Sequence, residues 1–353
     1  MRLSRVLGLV LVVLASGGCR SCVPVQEEPT VEGPESTTVG SGLKGHVVFT
    51  IPGGALMDVE LPTKVEKTVR PGTKSAAHNV AGPDARGRVA FVTDEAPGHA
   101  LKVILLDGTG ERVVFARPGR TLWDNATGDY IAMAPTGGNV AILEGTSSVQ
   151  TGGTGGNLLL GALEVWNVDS GKGGPIGVMA GDVGMSFFPS GERIAYVAFD
   201  SKSEAEKLPS AKEAMGKDWA LRDKTPVVHL RDLATKKDEA IGIGEYPVVS
   251  ADGTFVLVVD GEHKLRRIDV GTKASVMVDA PGFLGHPVGA SGSLVIYHAL
   301  GTKGVKPKTR PMSMGGSETL HTLKIAQFGT HEVATLAEGI SIHSRASFGQ
   351  PNP

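Results

Sequence analysis

A short phrase recurs along this chain: a tight turn ending in glycine, followed at once by a β-rich apolar run. It appears as Pro83-Asp84-Ala85-Arg86-Gly87 before Val89-Ala90-Phe91-Val92, and as Pro135-Thr136-Gly137 before Val140-Ala141-Ile142-Leu143. It returns as Pro189-Ser190-Gly191 before Ile194-Ala195-Tyr196-Val197, and as Ala251-Asp252-Gly253 before Val256-Leu257-Val258-Val259. The last copy is Ala290-Ser291-Gly292 before Leu294-Val295-Ile296-Tyr297. Self-similarity at a spacing of roughly 40 to 60 residues is the mark of a propeller or a solenoid.

Each turn and strand is followed by a second signature, an apolar strand that runs into a polar turn. Val103-Ile104-Leu105-Leu106-Asp107-Gly108 and Leu265-Arg266-Arg267-Ile268-Asp269-Val270-Gly271 are two examples. Each unit therefore reads as four antiparallel strands, a to d, with the glycine turn joining a to b. Gly45 to Val69 supplies strands b and c without an a before them. The missing strand is expected at the other terminus, in Ile340-Ser341-Ile342-His343-Ser344-Arg345, so that the C-terminus completes the first blade and no sheet edge is left open. The expectation is an all-β, six-bladed propeller over residues 45–349, with five and seven blades as the neighbouring alternatives and 350–353 as a tail.

These phrases resemble the WD40-like repeats of the bacterial TolB-type β-propellers, whose strand turn is typically Ser/Pro-Asp-Gly. The resemblance covers roughly residues 45–349 and implies a fold more than a function, because propellers host unrelated activities. TolB-type proteins also carry an α/β domain ahead of the propeller. No sequence of that kind lies between Cys19 and Gly45, so their partners are not carried over.

The first residues read as an export signal. Arg2 and Arg5 precede an apolar run from Val6 to Leu14, then Ala15-Ser16-Gly17-Gly18-Cys19. The run is too short to cross a bilayer, which takes about 20 apolar residues. Small residues before a cysteine are similar to a bacterial lipobox, which implies cleavage after residue 18 and lipidation of Cys19. The only other cysteine is Cys22, so the propeller has no disulfide and no cysteine metal site. Residues 19–44 then read as a lipidated cysteine and a flexible tether, rich in Pro, Glu, Ser, Thr and Gly. The formal net charge of −2 gives no electrostatic case for a nucleic-acid partner. The expected address is the bacterial cell envelope.

Three connections depart from the short hairpin pattern: Gly145 to Asn157, Asp200 to Lys224, and Gly301 to Ser317. All three fall between strands b and c and so emerge on one face of the disc, the candidate working face. The second contains Ser210-Ala211-Lys212-Glu213, a capping box, with Met215 and Trp219 on an apolar stripe; a short helix is expected there, either pinned to its blade or presenting these residues to a partner. The third is basic, and Lys306, Lys308 and Arg310 are candidate partner contacts.

Candidate chemistry is sparse. His286 and His343 stand six residues before Gly292 and Gly349, and His78 lies near the equivalent point of its unit. Equivalent positions around a ring face a common axis, so these three imidazoles are candidates for one ligand site at the channel mouth, able in principle to hold a zinc, copper or iron ion. No Gly-x-Ser-x-Gly elbow is present, His331-Glu332 lacks the second histidine of a zincin, and the glycines from Gly152 to Gly156 lack the Lys and Ser/Thr of a phosphate loop. The leading expectation is a non-catalytic envelope lipoprotein that binds a protein, peptide or glycan and needs no cofactor. The alternative is a metal-dependent lyase or hydrolase using the histidines, and a third class is a purely structural lipoprotein.

Overall fold

The computed structural model describes residues 39–350, apart from 52, 73–75, 96–97, 119–126, 151–156, 221–222, 281, 300–309, 312–316, 319, 331 and 342–345. The first blade contributes β1 (Gly45–Ile51), β2 (Ala55–Leu61) and β3 (Val65–Arg70). The second is β4 (Ala77–Ala81), β5 (Arg88–Glu95), β6 (Gly98–Leu105) and β7 (Arg112–Pro118). The third is β8 (Thr127–Met133), β9 (Asn139–Gln150), β10 (Asn157–Asn167) and β11 (Gly173–Gly181).

In the fourth, β12 (Met185–Phe187) and β13 (Arg193–Ser201) lead into helices α1 (Lys202–Ala205) and α2 (Ala211–Ala220), and then β14 (Lys224–Asp232) and β15 (Asp238–Ile243). The fifth is β16 (Glu245–Val249), β17 (Phe255–Val259), β18 (Leu265–Asp269) and β19 (Ser275–Met277). The sixth has β20 (Phe283–Ser291) and β21 (Leu294–Ala299), a small hairpin β22 (Arg310–Pro311) and β23 (Ser317–Glu318), then β24 (Leu320–Gln327) and β25 (Val333–Ser341). Finally β26 (Ala346–Gly349) pairs with β1, giving six four-stranded antiparallel sheets.

The apolar runs of strand b are continuous because a blade has no solvent face. Alternate residues of β5 point to opposite neighbours: Val89 and Phe91 join the cluster shared with the first blade, Ala90 and Val92 the one shared with the third. In β9, Val140 and Ile142 face back while Ala141 and Leu143 face forward. The same division holds for β13, β17 and β21. Six inter-blade clusters result, and each fully buried Val, Leu or Phe contributes roughly 1.5–3 kcal/mol. Val39 and Leu43, from the segment read by composition as tether, are buried in the cluster between the sixth and first blades.

The turn glycines carry a second constraint. Gly87, Gly137, Gly191, Gly253 and Gly292 all lie between φ +56° and +80°, a region that costs a side chain about 1–2 kcal/mol. Some also nest on the preceding blade. A Cβ on Gly137 would meet Asp84 Oδ2 at 2.6 Å and Arg88 Nη2 at 2.7 Å. There Asp84, wholly buried, accepts from Arg88 Nε at 2.8 Å, and Arg88 Nη1 reaches across to Asp169 of the third blade at 2.6 Å.

Two expectations on the connections need correction. Ring closure comes from the C-terminus, but through Ala346–Gly349; Ile340 belongs to the outer strand β25, where it pairs with His321. The reason is packing at Gly289 and Gly45, where only a backbone without Cβ leaves room for the Phe348 side chain. Likewise much of Gly145–Asn157 is strand rather than loop, since β9 and β10 stay paired out to Gln150 and Asn157.

Removal of residues 346–353 is expected to destabilise the whole ring by at least about 3 kcal/mol, the cost of deleting one large core aromatic, because both β1 and the Phe348 contacts lose their cover. Urea unfolding of the truncated protein checks this; a midpoint equal to that of the full chain would refute closure by β26. Gly137→Ala and Gly292→Ala separate the two glycine constraints. Both take the φ penalty, but a Cβ on Gly292 meets nothing within 4 Å. Gly292→Ala should therefore cost about 1 kcal/mol and Gly137→Ala about 2 kcal/mol or more, measured by urea unfolding side by side.

Candidate functional site

Strand a of every blade lines the ring axis, where the circumference is least and bulk is excluded. The walls use Gly82, Gly184 and Gly289 at close approaches: a Cβ on Gly82 would lie 2.8 Å from the Arg88 carbonyl oxygen, and one on Gly184 would lie 2.8 Å from the Tyr246 Cα. Adjacent inner strands are tied together by short struts. Gly82 N–H donates to Ser347 Oγ at 3.1 Å, Val249 N–H to Ser186 Oγ at 3.1 Å, and Tyr246 N–H to the Val183 carbonyl at 2.6 Å.

Between these walls lies a cavity of about 440 Å³, bounded by residues of all six inner strands. Among the described residues that line it there is no Asp, Glu, Lys or Arg. Five prolines, Met133, Met185, Phe187 and Phe348 contribute instead. At the start of the inner strands of the fifth and sixth blades, three rings meet. Tyr246 stands edge-on to His286 at 4.1 Å, and His286 lies 6.5 Å from His298, itself buried on β21. Tyr246 holds φ +56° at a β-bulge, a conformation that costs a bulky residue of order 1–3 kcal/mol.

Of the three histidines singled out by spacing, His286 lies in this cavity. His78 sits half-buried on β4 opposite Val92 and is not among the lining residues, while His343 falls outside the described residues. Among the described residues no group of three His, Cys, Asp or Glu is placed to hold a metal ion. His298 and Tyr246 escaped the sequence reading. For Tyr246 a signal existed in a repeated aromatic–proline dipeptide, Tyr246-Pro247 and His286-Pro287, at the start of consecutive inner strands; His298, on strand b, had none.

The insert residues sit elsewhere. Met215 and Trp219 are 5% and 4% exposed, packed with Ala205, Val227 and Ile243 beneath the helices. Helix α2 breaks at Gly216, φ +61°, where its backbone presses on Gly261 of the fifth blade; Gly261 N–H donates to the Ala214 carbonyl at 3.0 Å. The helix thus bridges two blades. Ser210 has φ +56° rather than the extended backbone of a capping-box residue. Cys19, Lys306 and Lys308 lie outside the described residues, and Arg310 opens the hairpin β22–β23.

Other imidazoles are paired with carboxylates, two within a blade and one across a blade boundary. His46 Nδ1 lies 3.0 Å from both oxygens of the wholly buried Asp58, and His229 Nε2 lies 3.0 Å from Asp200. His99 Nε2 lies 3.3 Å from Glu144 Oε1, with Arg117 Nε as near to the same oxygen. The Arg117 guanidinium also pairs with Glu164 and lies over the rings of Phe115 and Trp166. Burial, with the adjacent Asp238 charge next, pushes the Tyr196 phenol above its usual range, so it stays a donor to Asp238 at 3.0 Å.

These features define a closed six-bladed β-propeller with an axial cavity whose described lining residues carry no Asp, Glu, Lys or Arg. Its particular form is TolB-like. The chain is similar to TolB from Acinetobacter baumannii, at 13% identity and a TM-score of 0.57, over 86% of this chain and 66% of that one. It is similar to a putative TolB from Agrobacterium tumefaciens at 11% identity and a TM-score of 0.52, covering 86% and 97%, and to a chain of a nidogen/laminin complex at 10% identity and 0.54, covering 86% and 99%. No protein-family model matches the chain, and no curated protein matches it.

Proposed function

We propose that this propeller is a non-catalytic binding module of the bacterial cell envelope, held to the membrane through a lipid on Cys19, which takes a protein or peptide partner on the face that carries its long connections. The observation that carries the reading is the placing of those connections. The β9–β10 arm, the α1–α2 cap and the β22–β23 hairpin all join strand b to strand c, so they stand on one face, while the b–c turn of the fifth blade at Gly261 is short. Elaboration confined to one face of a rigid disc is how a scaffold presents a recognition surface. One of the similar propellers comes from a nidogen/laminin complex, which supports a protein as partner. The imidazoles of His46 and His229 are each tied to a carboxylate of their own blade and that of His99 to Glu144 of the next, so all three are engaged away from the axial cavity.

Two experiments test the two halves of the proposal. A photo-crosslinking residue at Val149, on the arm, should give discrete adducts in intact cells, whereas one at Arg86, on the opposite face, should give none. Equal adducts from both faces, or adducts only from Arg86, would sink the working-face assignment. Cys19→Ala should move the protein out of the membrane fraction or leave it unprocessed; unchanged fractionation and unchanged mass would refute the lipid anchor.

A further inference from the structure

The axial cavity carries an inference separate from the partner face. We infer that it is a binding site for a small uncharged ligand with a largely apolar body, and that it discriminates against any ligand with a formal charge. Its volume of about 440 Å³ falls within the roughly 300–1,000 Å³ of small-molecule sites. Such sites are apolar with a few placed polar groups. Here Val, Ile, Ala, Pro, Met and Phe side chains share the wall about equally with uncharged polar groups of the backbone and of Thr136, Ser186, Ser250, Ser347 and Gln350, and the rings of Tyr246, His286 and His298 gather at the end where strands β16 and β20 begin.

Charge decides the ligand class. Among the described lining residues there is no carboxylate, ammonium or guanidinium to meet an ion. Ser186 and Ser347, two of the wall hydroxyls, already accept backbone N–H groups as inter-blade struts. A charged ligand entering such a cavity surrenders its hydration without gaining a counter-charge from any described wall residue. On the turn face, beside the lining residues Pro83, Ala85 and Ala251, Asp84 is committed to Arg88, Arg88 to Asp169, and Asp252 to Ser250 and Thr254. Tyr246, held at φ +56° beside His286, gives the rim a fixed shape for a flat apolar group.

The test uses two dyes that share one aromatic skeleton, the neutral N-phenylnaphthylamine and the anionic anilinonaphthalene sulfonate, with the folded full chain. The neutral dye should show a saturable fluorescence rise with one site per chain, and the sulfonate should bind at least about tenfold more weakly. Val248→Trp enlarges a half-buried residue that lines the cavity and packs against the seam of the fifth and sixth blades, and should weaken neutral-dye binding by about tenfold or more, while Val113→Trp on the outer strand β7 should leave it unchanged. If Val248→Trp fails to fold, Ala85→Trp fills the opposite end of the same cavity and carries the same expectation. Equal affinity for the two dyes, no saturable binding, or binding insensitive to both cavity variants while sensitive to Val113→Trp would overturn the inference. Loss of the partner adducts at Val149 would leave it standing, since those report on another surface.

Discussion

Everything in this molecule depends on one constraint: the two faces of each blade are covered by the blades on either side. A four-stranded sheet with both faces apolar cannot stand alone in water, and a row of such sheets has two uncovered ends. Closing the row removes both ends at once, which is why a four-residue strand such as β26 matters out of proportion to its length. Its Phe348 fills the space that Gly289 and Gly45 leave open, and Val39 and Leu43 add cover to the same seam between the last blade and the first.

The same constraint explains what was legible in the sequence. Continuous runs such as Val140–Leu143 signal strands buried on both faces, and a glycine before each run signals a turn at positive φ. Both follow from local chemistry, so the blade count and the a-to-b turns were readable directly. The closing strand was misplaced by a few residues because Ile340 continues the apolar pattern of β25, and only the fit of Phe348 against a neighbouring blade shows where that pattern hands over. Partial pairing of Gly145–Gln150 was hidden for a different reason: Gly145, Ser147 and Ser148 have weak strand preference, and the ladder persists there by extending a hairpin already begun.

The candidate site was less legible, and β-bulges are the cause. One-residue register shifts break the inner strands at His78/Val80, at Glu245/Val248 and at Pro287/Gly289. Each shift reverses which side chains face the axis, because the side-chain period of a strand is two. Equal distance from a turn glycine therefore does not guarantee equal orientation. His286 reached the cavity and His78 did not, although the counting argument treated them alike. Tyr246 entered through a bulge, and His298 came from strand b; no spacing rule tied to the inner strand would find either.

The distribution of charge separates the two surfaces on which function is proposed. Ionisable groups within the ring are spent on ties: Arg88 joins the second blade to the third, Arg266 joins the α2 insert to Asp260, and Arg117 draws Glu144 and Glu164 together across a blade boundary. Breaking such a partly buried tie strands a carboxylate in a poorly solvated seam, so these residues are constrained by stability before they are available for chemistry. The described wall of the axial cavity is left to backbone, apolar side chains, uncharged Ser, Thr and Gln groups and three clustered rings. An acid–base mechanism needs groups that can exchange protons with a substrate at hydrogen-bond distance. Among the described residues lining the axis, the groups able to exchange a proton are the imidazoles of His286 and His298 and the phenol of Tyr246, and they stand together at one end of the cavity rather than around it.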